Sequence, residues 1–143
     1  MPLSGYSSLC EQHQKIIVSK DSRQPRMHRA INKDGCNVSQ YQIDGVVISD
    51  KSNKCDFLVM NDDKLNAYLI ELKGIDIEHA VVQLEGTANR LKSSLSGYTL
   101  KYRLVYSAAK THALQSTQFK RFRKLHSKSD EFKYHENILE ENI

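Results

Sequence analysis

The fold of this chain is decided by the stretch CDFLVMNDDKLNAYLIELK, residues 55–73. Two apolar segments flank a short polar turn, which predicts a β-hairpin. Side chains alternate between the faces of a strand, so Glu71 and Lys73 share one face. In an antiparallel hairpin Asp56 can lie on that same face, near Glu71. The stretch therefore predicts that two carboxylates and one ammonium group meet at a sheet edge.

Such a cluster suits a hard metal ion. Two carboxylates about 5 Å apart repel each other by roughly 3 kcal/mol at an effective dielectric of about 20. Oxygen ligands favour Mg²⁺ or Mn²⁺, and the Leu72 backbone carbonyl can be a third protein ligand. The ion would polarise a phosphoryl oxygen, while Lys73 would orient or deprotonate the attacking water. The alternative interpretation is a surface ion pair worth about 0–1 kcal/mol.

A one-sided apolar stripe after the hairpin predicts an amphipathic helix. Asp76 is the expected N-cap and Gly97 the expected residue just beyond the C-terminus. Gln83 lies beside the stripe, about 100° around the helix from Leu84. Without the upstream triplet, Gln83 would be interpreted as an exposed glutamine. The stripe consists of Ile77, Val81, Leu84, Ala88, Leu91 and Leu95.

Asp56, the Glu71-Leu72-Lys73 triplet and the following helix with Gln83 resemble the restriction-endonuclease-like PD-(D/E)xK nuclease superfamily. The resemblance covers residues 40–108, and Cys55 stands where the name-giving proline usually lies. It implies that Asp56 and Glu71 bind metal and that Lys73 serves catalysis. It also implies that Gln83 helps to hold the site or the nucleic acid, and that the products carry a 5′ phosphate.

Two further carboxylates are weaker candidates for metal binding. Asp44 precedes Gly45 in a predicted strand and can face the same cluster as Asp56, but it can equally be a bulge or turn residue. Glu11 lies on a predicted first helix, where some members of the superfamily, including archaeal Holliday-junction resolvases, place an extra carboxylate. A solvent-exposed glutamate is the alternative interpretation of Glu11.

The second predicted helix, 111–127, has a basic side. Leu114, Phe119, Phe122 and Leu125 fall within one arc of about 140°. The opposite arc carries basic side chains, which can contact successive phosphates of a nucleic acid without reading its sequence. An ordinary solvated helix face is the alternative. The candidate nucleic-acid-binding residues of this arc are Lys110, Lys120, Arg121, Lys124 and Lys128.

Taken together, the patterns predict one α/β domain, 1–143, with a core at about 7–127 and an acidic C-terminal extension at 129–143, and the resemblance implies that this core is restriction-endonuclease-like. We expect a central mixed sheet of four strands, or slightly more, flanked by helices in the order α-β-β-β-α-β. The predicted elements are a helix at 7–19, a long loop at 20–39, strands at 41–48, 55–60 and 67–73, a helix at 77–95, a strand at 98–107 and a helix at 111–127.

Composition excludes several other classes of protein. The three cysteines lack metal-site spacing and indicate reduced thiols in the cytoplasm, the expected location. The six histidines form no ligand motif, and no glycine-rich phosphate loop is present. No apolar run is long enough for a membrane span, and no signal peptide is recognisable. The formal net charge of +4 suits a nucleic-acid partner.

The leading hypothesis is a Mg²⁺- or Mn²⁺-dependent endonuclease that hydrolyses phosphodiester bonds, with DNA as the favoured partner. Because 143 residues leave little room for base readout, nucleic-acid structure, a protein partner or homodimer symmetry would direct cleavage. The alternative hypothesis is a catalytically silent module that binds nucleic acid or protein. A third is a small phage- or host-encoded inhibitor that acts through the basic face.

Overall fold

The computed structural model describes residues 3–21, 25–107 and 113–143. They form an α/β protein with two mixed sheets, of three and five strands, and two α-helices. The elements in chain order are β1 (Ile16–Lys20), β2 (Met27–Ile31), β3 (Val38–Gln42), β4 (Phe57–Asn61), β5 (Asn66–Lys73), α1 (Ile77–Arg90), β6 (Thr99–Tyr106), a 3₁₀ turn (Ala113–Gln115), α2 (Thr117–Leu125), β7 (Phe132–Glu136) and β8 (Ile138–Asn142).

The five-stranded sheet has the order β3-β4-β5-β6-β7. Strands β3, β4 and β5 are antiparallel neighbours, whereas β5, β6 and β7 run parallel. The predicted hairpin of β4 and β5 and the crossover from β5 through α1 to β6 are therefore confirmed. Because β5 and β6 are parallel, their carboxyl ends lie at the same edge of the sheet.

The two faces of this sheet bury different cores. Ala67 and Leu69 of β5 pack with the helices, whereas Tyr68, Ile70 and Leu72 pack with the three-stranded sheet. The second core explains why β5 is almost entirely buried along its length. Thus helices cover one face only, and a second sheet, of order β1-β2-β8, covers the other.

The predicted first helix is wrong. Residues 7–15 form turns and coil, and Ile16 begins β1. Three consecutive β-branched residues favour a strand, and their exposed fractions alternate: 42% for Ile16, 0% for Ile17 and 41% for Val18. The Ser8 hydroxyl, expected as a helix cap, accepts the backbone N–H of Gln40 instead and ties this segment to β3.

The prediction of one long loop at 20–39 is also wrong, because this segment contains β2. His28 and Ala30 of β2 point inward. The buried His28 interrupts the apolar alternation that would identify this strand in the sequence. Its partner, Glu141 of β8, is distant in the chain. The predicted strand at 41–48 is shifted, since β3 ends at Gln42. The acidic segment 129–143 forms β7 and β8, one strand in each sheet.

Helix α1 begins at its predicted cap, where Asp76 accepts the N–H of His79. Helix α2 is shorter than the predicted helix at 111–127, since Ala113–Gln115 form a 3₁₀ turn and Ser116 caps α2 by accepting the N–H of Phe119. Helix α1 ends at Arg90, earlier than predicted, and turns lead to Gly97 at φ +89°. Neither helix of the described chain has the length and apolarity that a membrane span requires.

Candidate active site

The predicted site residues meet at the carboxyl end of β5. Phe57 pairs with Ile70, so the next residues outward, Asp56 and Glu71, face each other across the hairpin. Glu71 and Lys73 continue the side of β5 that carries Ala67 and Leu69, and thus lie on the helix face of the sheet. The three charged residues therefore converge, as predicted, on one face at one edge.

Hydrogen bonds and an ion pair fix this cluster. The Leu72 backbone N–H donates to Asp56 Oδ2 at 2.8 Å, so the aspartate terminates the ladder of the hairpin. Lys73 Nζ lies 3.5 Å from Glu71 Oε2. The Glu71 side chain is 2% exposed and that of Lys73 is 21% exposed, so solvent reaches the site from the lysine side.

Both carboxyl groups hold protons more tightly than isolated side chains do. Burial raises the pKa of Glu71 well above its usual range, and the Asp56 charge adds to the effect, outweighing the attraction of Lys73. Burial also raises the pKa of Asp56, against the opposing hydrogen bond from Leu72. The two groups interact directly, because a protonated Glu71 carboxyl donates a hydrogen bond to Asp56, which raises the pKa of Glu71 and opposes the rise at Asp56. A cation would relieve this crowding of negative charge.

Helix α1 is locked to the segment that leads into Asp56. The Gln83 side-chain amide donates to the Lys54 carbonyl at 3.2 Å, and the Cys55 N–H donates to Thr87 Oγ1 at 2.7 Å. Gly86 permits this contact, since a Cβ there would lie 2.3 Å from the Asn53 carbonyl oxygen. Gln83 thus contacts the segment that leads into Asp56, and its role in holding the site or the nucleic acid stays a prediction.

Two buried acceptor oxygens at this site have no donor among the described residues. They are Oε1 of Glu71 and Oε1 of Gln83. Buried acceptors usually have a partner, which for Glu71 is either a proton shared with Asp56 or a cation. The donor set of Asp56, Glu71 and the Leu72 carbonyl fits Mg²⁺, which commonly takes one or two carboxylates and completes its shell with water.

The described chain contains no group of three or more His, Cys, Asp or Glu side chains that could hold a metal ion. Asp44 is nevertheless close enough for its charge to raise the pKa of Asp56. It lies in a turn after β3, at the left-handed Gly45 (φ +85°), and its Oδ1 is 3.9 Å from Lys54 Nζ. Asp44 therefore acts on the site through its charge and through Lys54, and its role as a metal ligand stays a prediction.

Glu11 is not brought to the site. It is exposed in a turn, where its N–H donates to Gln14. The adjacent Gln12 carbonyl accepts the N–H of Val38, which pairs with Asn61 at the end of β4 opposite to Asp56. No helix carries Glu11 toward Asp56, because the described segment 7–15 forms no helix.

The predicted basic residues Lys120, Arg121 and Lys124 are exposed on the side of α2 opposite the buried Phe119 and Phe122, and Lys128 is exposed beyond the end of the helix. Arg121 lies 3.7 Å from Glu85 of α1, which ties the two helices together. Leu125, expected on the apolar side, is exposed. Lys110 lies outside the described residues. The exposed predicted residues are Lys120, Arg121, Lys124 and Lys128.

Sequence reasoning missed Lys54, Gly86 and Thr87, which hold α1 against the approach to Asp56. Glycine within a helical pattern was the one available signal, since it often marks a close approach of two backbones. Lys54 and Thr87 carried no signal, because their partners are 29 or more residues away in the chain.

The chain matches no family model, no curated protein and no solved structure. The proposal of a function therefore rests on the chemistry of the residues at the carboxyl end of β5.

Proposed function

We propose that this protein is a metal-dependent nuclease that hydrolyses phosphodiester bonds, with DNA as the favoured substrate. The observation that carries the proposal is the convergence of Asp56, Glu71 and Lys73 on one face, where the buried Glu71 Oε1 lacks a donor among the described residues. The resemblance to the PD-(D/E)xK superfamily supports the same activity and belongs to the proposal.

In this proposal each residue has a definite task. Asp56, Glu71 and the Leu72 carbonyl would hold Mg²⁺ or Mn²⁺. When bound, the ion would polarise the phosphoryl oxygen and acidify a water molecule. Lys73, with one side open to solvent, would orient the attacking water and guide its proton. Gln83 would keep Asp56 in register through the Lys54 carbonyl.

The test is hydrolysis of linear, nicked, branched and single-stranded nucleic acids, with Mg²⁺, Mn²⁺ or EDTA. We expect metal-dependent cleavage that Lys73→Met abolishes and Lys92→Met, a change at another lysine outside the site, leaves intact. Cleavage by Lys73→Met at the rate of the unmodified protein would contradict the proposed role. The same panel compares DNA with RNA. Sedimentation with and without substrate would test whether a homodimer directs cleavage.

One observation favours the alternative, a silent module that binds nucleic acid or protein. Asp56 already accepts a backbone N–H and Glu71 already pairs with Lys73, so structural roles account for one oxygen of each carboxylate. Titration of the protein with Mn²⁺ by calorimetry separates the two functions. For a nuclease we expect a heat of Mn²⁺ binding that is lost in Glu71→Gln. No binding at millimolar Mn²⁺ would favour the silent module.

A further inference from the structure

A cleft of about 400 Å³ lies at the carboxyl end of α2, and we name it the basic cleft. Its walls come from the last turns of α2, the segment that follows and the start of β7. The lining residues are Lys120, Arg123, Lys124, His126, Ser127, Lys128 and Phe132. Four of these seven carry a permanent positive charge and none is acidic, so the cleft attracts anions.

The charges of the basic cleft are not neutralised by the rest of the described chain. Lys120, Lys124 and Lys128 make no salt bridge there, and Arg123 donates only to the Tyr134 hydroxyl, at 3.3 Å. Nearby lysines behave differently, since Lys101 and Lys133 both pair with Asp130. The unpaired charges are thus a property of this cleft and not of the whole surface around it.

The floor beneath these charges is rigid. The Phe122 ring lies edge-on to Phe132, with 4.8 Å between centroids, and the His126 ring lies 4.5 Å from Phe122. His126 Nδ1 is also held by Glu131 at 2.7 Å. Cations fixed along a packed helix can meet the regularly spaced phosphates of a polyanion with little loss of backbone entropy.

The basic cleft is well separated from the candidate metal site. Lys73 pairs with Tyr106, and Tyr102, four residues back along β6, pairs with Phe132. At about 3.3 Å per residue and about 4.8 Å per strand spacing, Phe132 lies about 16 Å from Lys73. A duplex rises 3.4 Å per base pair, so this distance corresponds to about five base pairs.

We propose that the basic cleft binds the phosphate backbone of a nucleic-acid duplex, about five base pairs from the bond that is cut. This inference rests on the proposed nuclease function for its substrate, and it deepens that function by requiring a substrate that extends to the second contact. Because the cleft contains none of the candidate metal ligands Asp56, Glu71 and Leu72, its binding does not need the ion proposed for that site. Backbone contacts hold the duplex without reading its sequence.

The test measures binding of a 20-base-pair DNA duplex in EDTA by fluorescence anisotropy, as a function of salt. Each phosphate contact contributes about 0.9 to the slope of log K against log salt. For Lys124→Ala/Lys128→Ala we therefore expect a slope lower by about 1.8 and an affinity about 60-fold weaker at 0.1 M salt. Lys15→Ala/Lys33→Ala removes the same charge elsewhere and should change the affinity less than about threefold.

The controls separate this inference from the proposed function. Equal weakening of DNA binding by both double variants would overturn the proposed role of the basic cleft. If Asp56→Asn then still lost cleavage, the proposed nuclease function would stand. Conversely, retained cleavage in Asp56→Asn, with binding lost in Lys124→Ala/Lys128→Ala, would contradict the nuclease function and support the basic cleft. Competition by poly-glutamate as effective as by DNA would show an acidic protein partner and overturn the inference.

Discussion

Asp56 Oδ2 accepts a 2.8 Å hydrogen bond from the backbone N–H of Leu72. In the proposed nuclease this contact gives the aspartate two tasks, because the same carboxylate ends the hydrogen-bond ladder of the hairpin and would bind the metal ion. The free energy of unfolding and the catalytic rate therefore respond to different properties of the side chain: the first needs an acceptor oxygen, and the second needs a negative charge.

Asp56→Asn and Asp56→Ala should separate these two tasks. Asparagine keeps an acceptor for the Leu72 N–H, whereas alanine leaves that group without a partner, at a cost of about 1–3 kcal/mol in the free energy of unfolding. Both variants lose the charge, and we expect cleavage to fall about 10²- to 10³-fold in each. Urea denaturation and initial cleavage rates provide the two measurements.

Asp63→Asn is the matched control for this pair. Asp63 Oδ2 accepts the N–H of Asn37 at 2.9 Å, in the turn at the other end of the hairpin. It should leave the cleavage rate unchanged. If Asp63→Asn slowed cleavage as much as Asp56→Asn, the charge at the β5 edge would have no special role.

Glu71→Gln should stabilise the metal-free protein while abolishing cleavage. Burial and Asp56 raise the pKa of Glu71 in the folded state, so the folded protein binds this proton more tightly than the unfolded chain does. Stability is therefore greatest below the unfolded pKa of about 4.3 and is lost as pH rises through the folded pKa. At neutral pH the variant should gain about 1 kcal/mol or more, with a higher melting temperature.

The gain from Glu71→Gln should disappear below about pH 4, where both states of the original protein are protonated. Thermal melts of the metal-free protein between pH 3 and pH 8 follow this dependence. Mn²⁺ should raise the melting temperature of the original protein and leave that of the variant unchanged. A variant less stable than the original at pH 7 would mean that the pair with Lys73 outweighs burial.

Gly86→Ala should disturb the site through the contact between α1 and the segment that leads into Asp56. The new Cβ would lie 2.3 Å from the Asn53 carbonyl oxygen, so either the helix or the segment before Asp56 must move. We expect a loss of about 1–3 kcal/mol in stability, typical of overpacking, and a lower cleavage rate. Asn89→Ala, at an exposed position of the same helix, should have neither effect. Stability by urea denaturation and cleavage kinetics test both variants.

A buried ionic cluster joins the two sheets and should govern acid stability. Glu141 Oε2 lies 2.6 Å from Arg103 Nε and 2.6 Å from His28 Nε2. Burial favours the neutral acid, but these donors prevail and lower the pKa of Glu141. Its contribution is thus present above the unfolded pKa of about 4.3 and is lost as pH falls through the lower folded pKa.

Glu141→Gln should cost up to about 3–5 kcal/mol at pH 7, because Arg103 and His28 lose their shared buried carboxylate and Arg103 keeps one carboxylate partner, Asp130 Oδ1, at 3.1 Å; the cost should shrink as the pH falls below about 4. The adjacent Glu140→Gln is the control. Glu140 forms an exposed pair with Arg29, worth about 0–1 kcal/mol. Urea denaturation from pH 3 to pH 7 provides the measurement, and equal losses in the two variants would refute the structural role of the buried cluster.

The local pattern was sufficient for the hairpin, for α1 and for the placement of Asp56, Glu71 and Lys73. Each depends on a short-range periodicity or on a cap, and α1 begins at the predicted Asp76. Residues 7–19 show the limit of such patterns. Ser8 and the polar residues that follow resemble a helix start, but strand pairing of Ile17 with Ala30 prevails there.

By itself, the sequence determined which side chains share a face of β5, because alternation along a strand follows from backbone geometry. Only the tertiary structure decided what lies on the opposite face, how deeply Glu71 is buried and which backbone group Asp56 binds. Those outcomes depend on contacts such as Glu141 with Arg103 and Gln83 with Lys54. Residues 29 to 38 positions apart meet only after the sheets pack, so no local pattern encodes them.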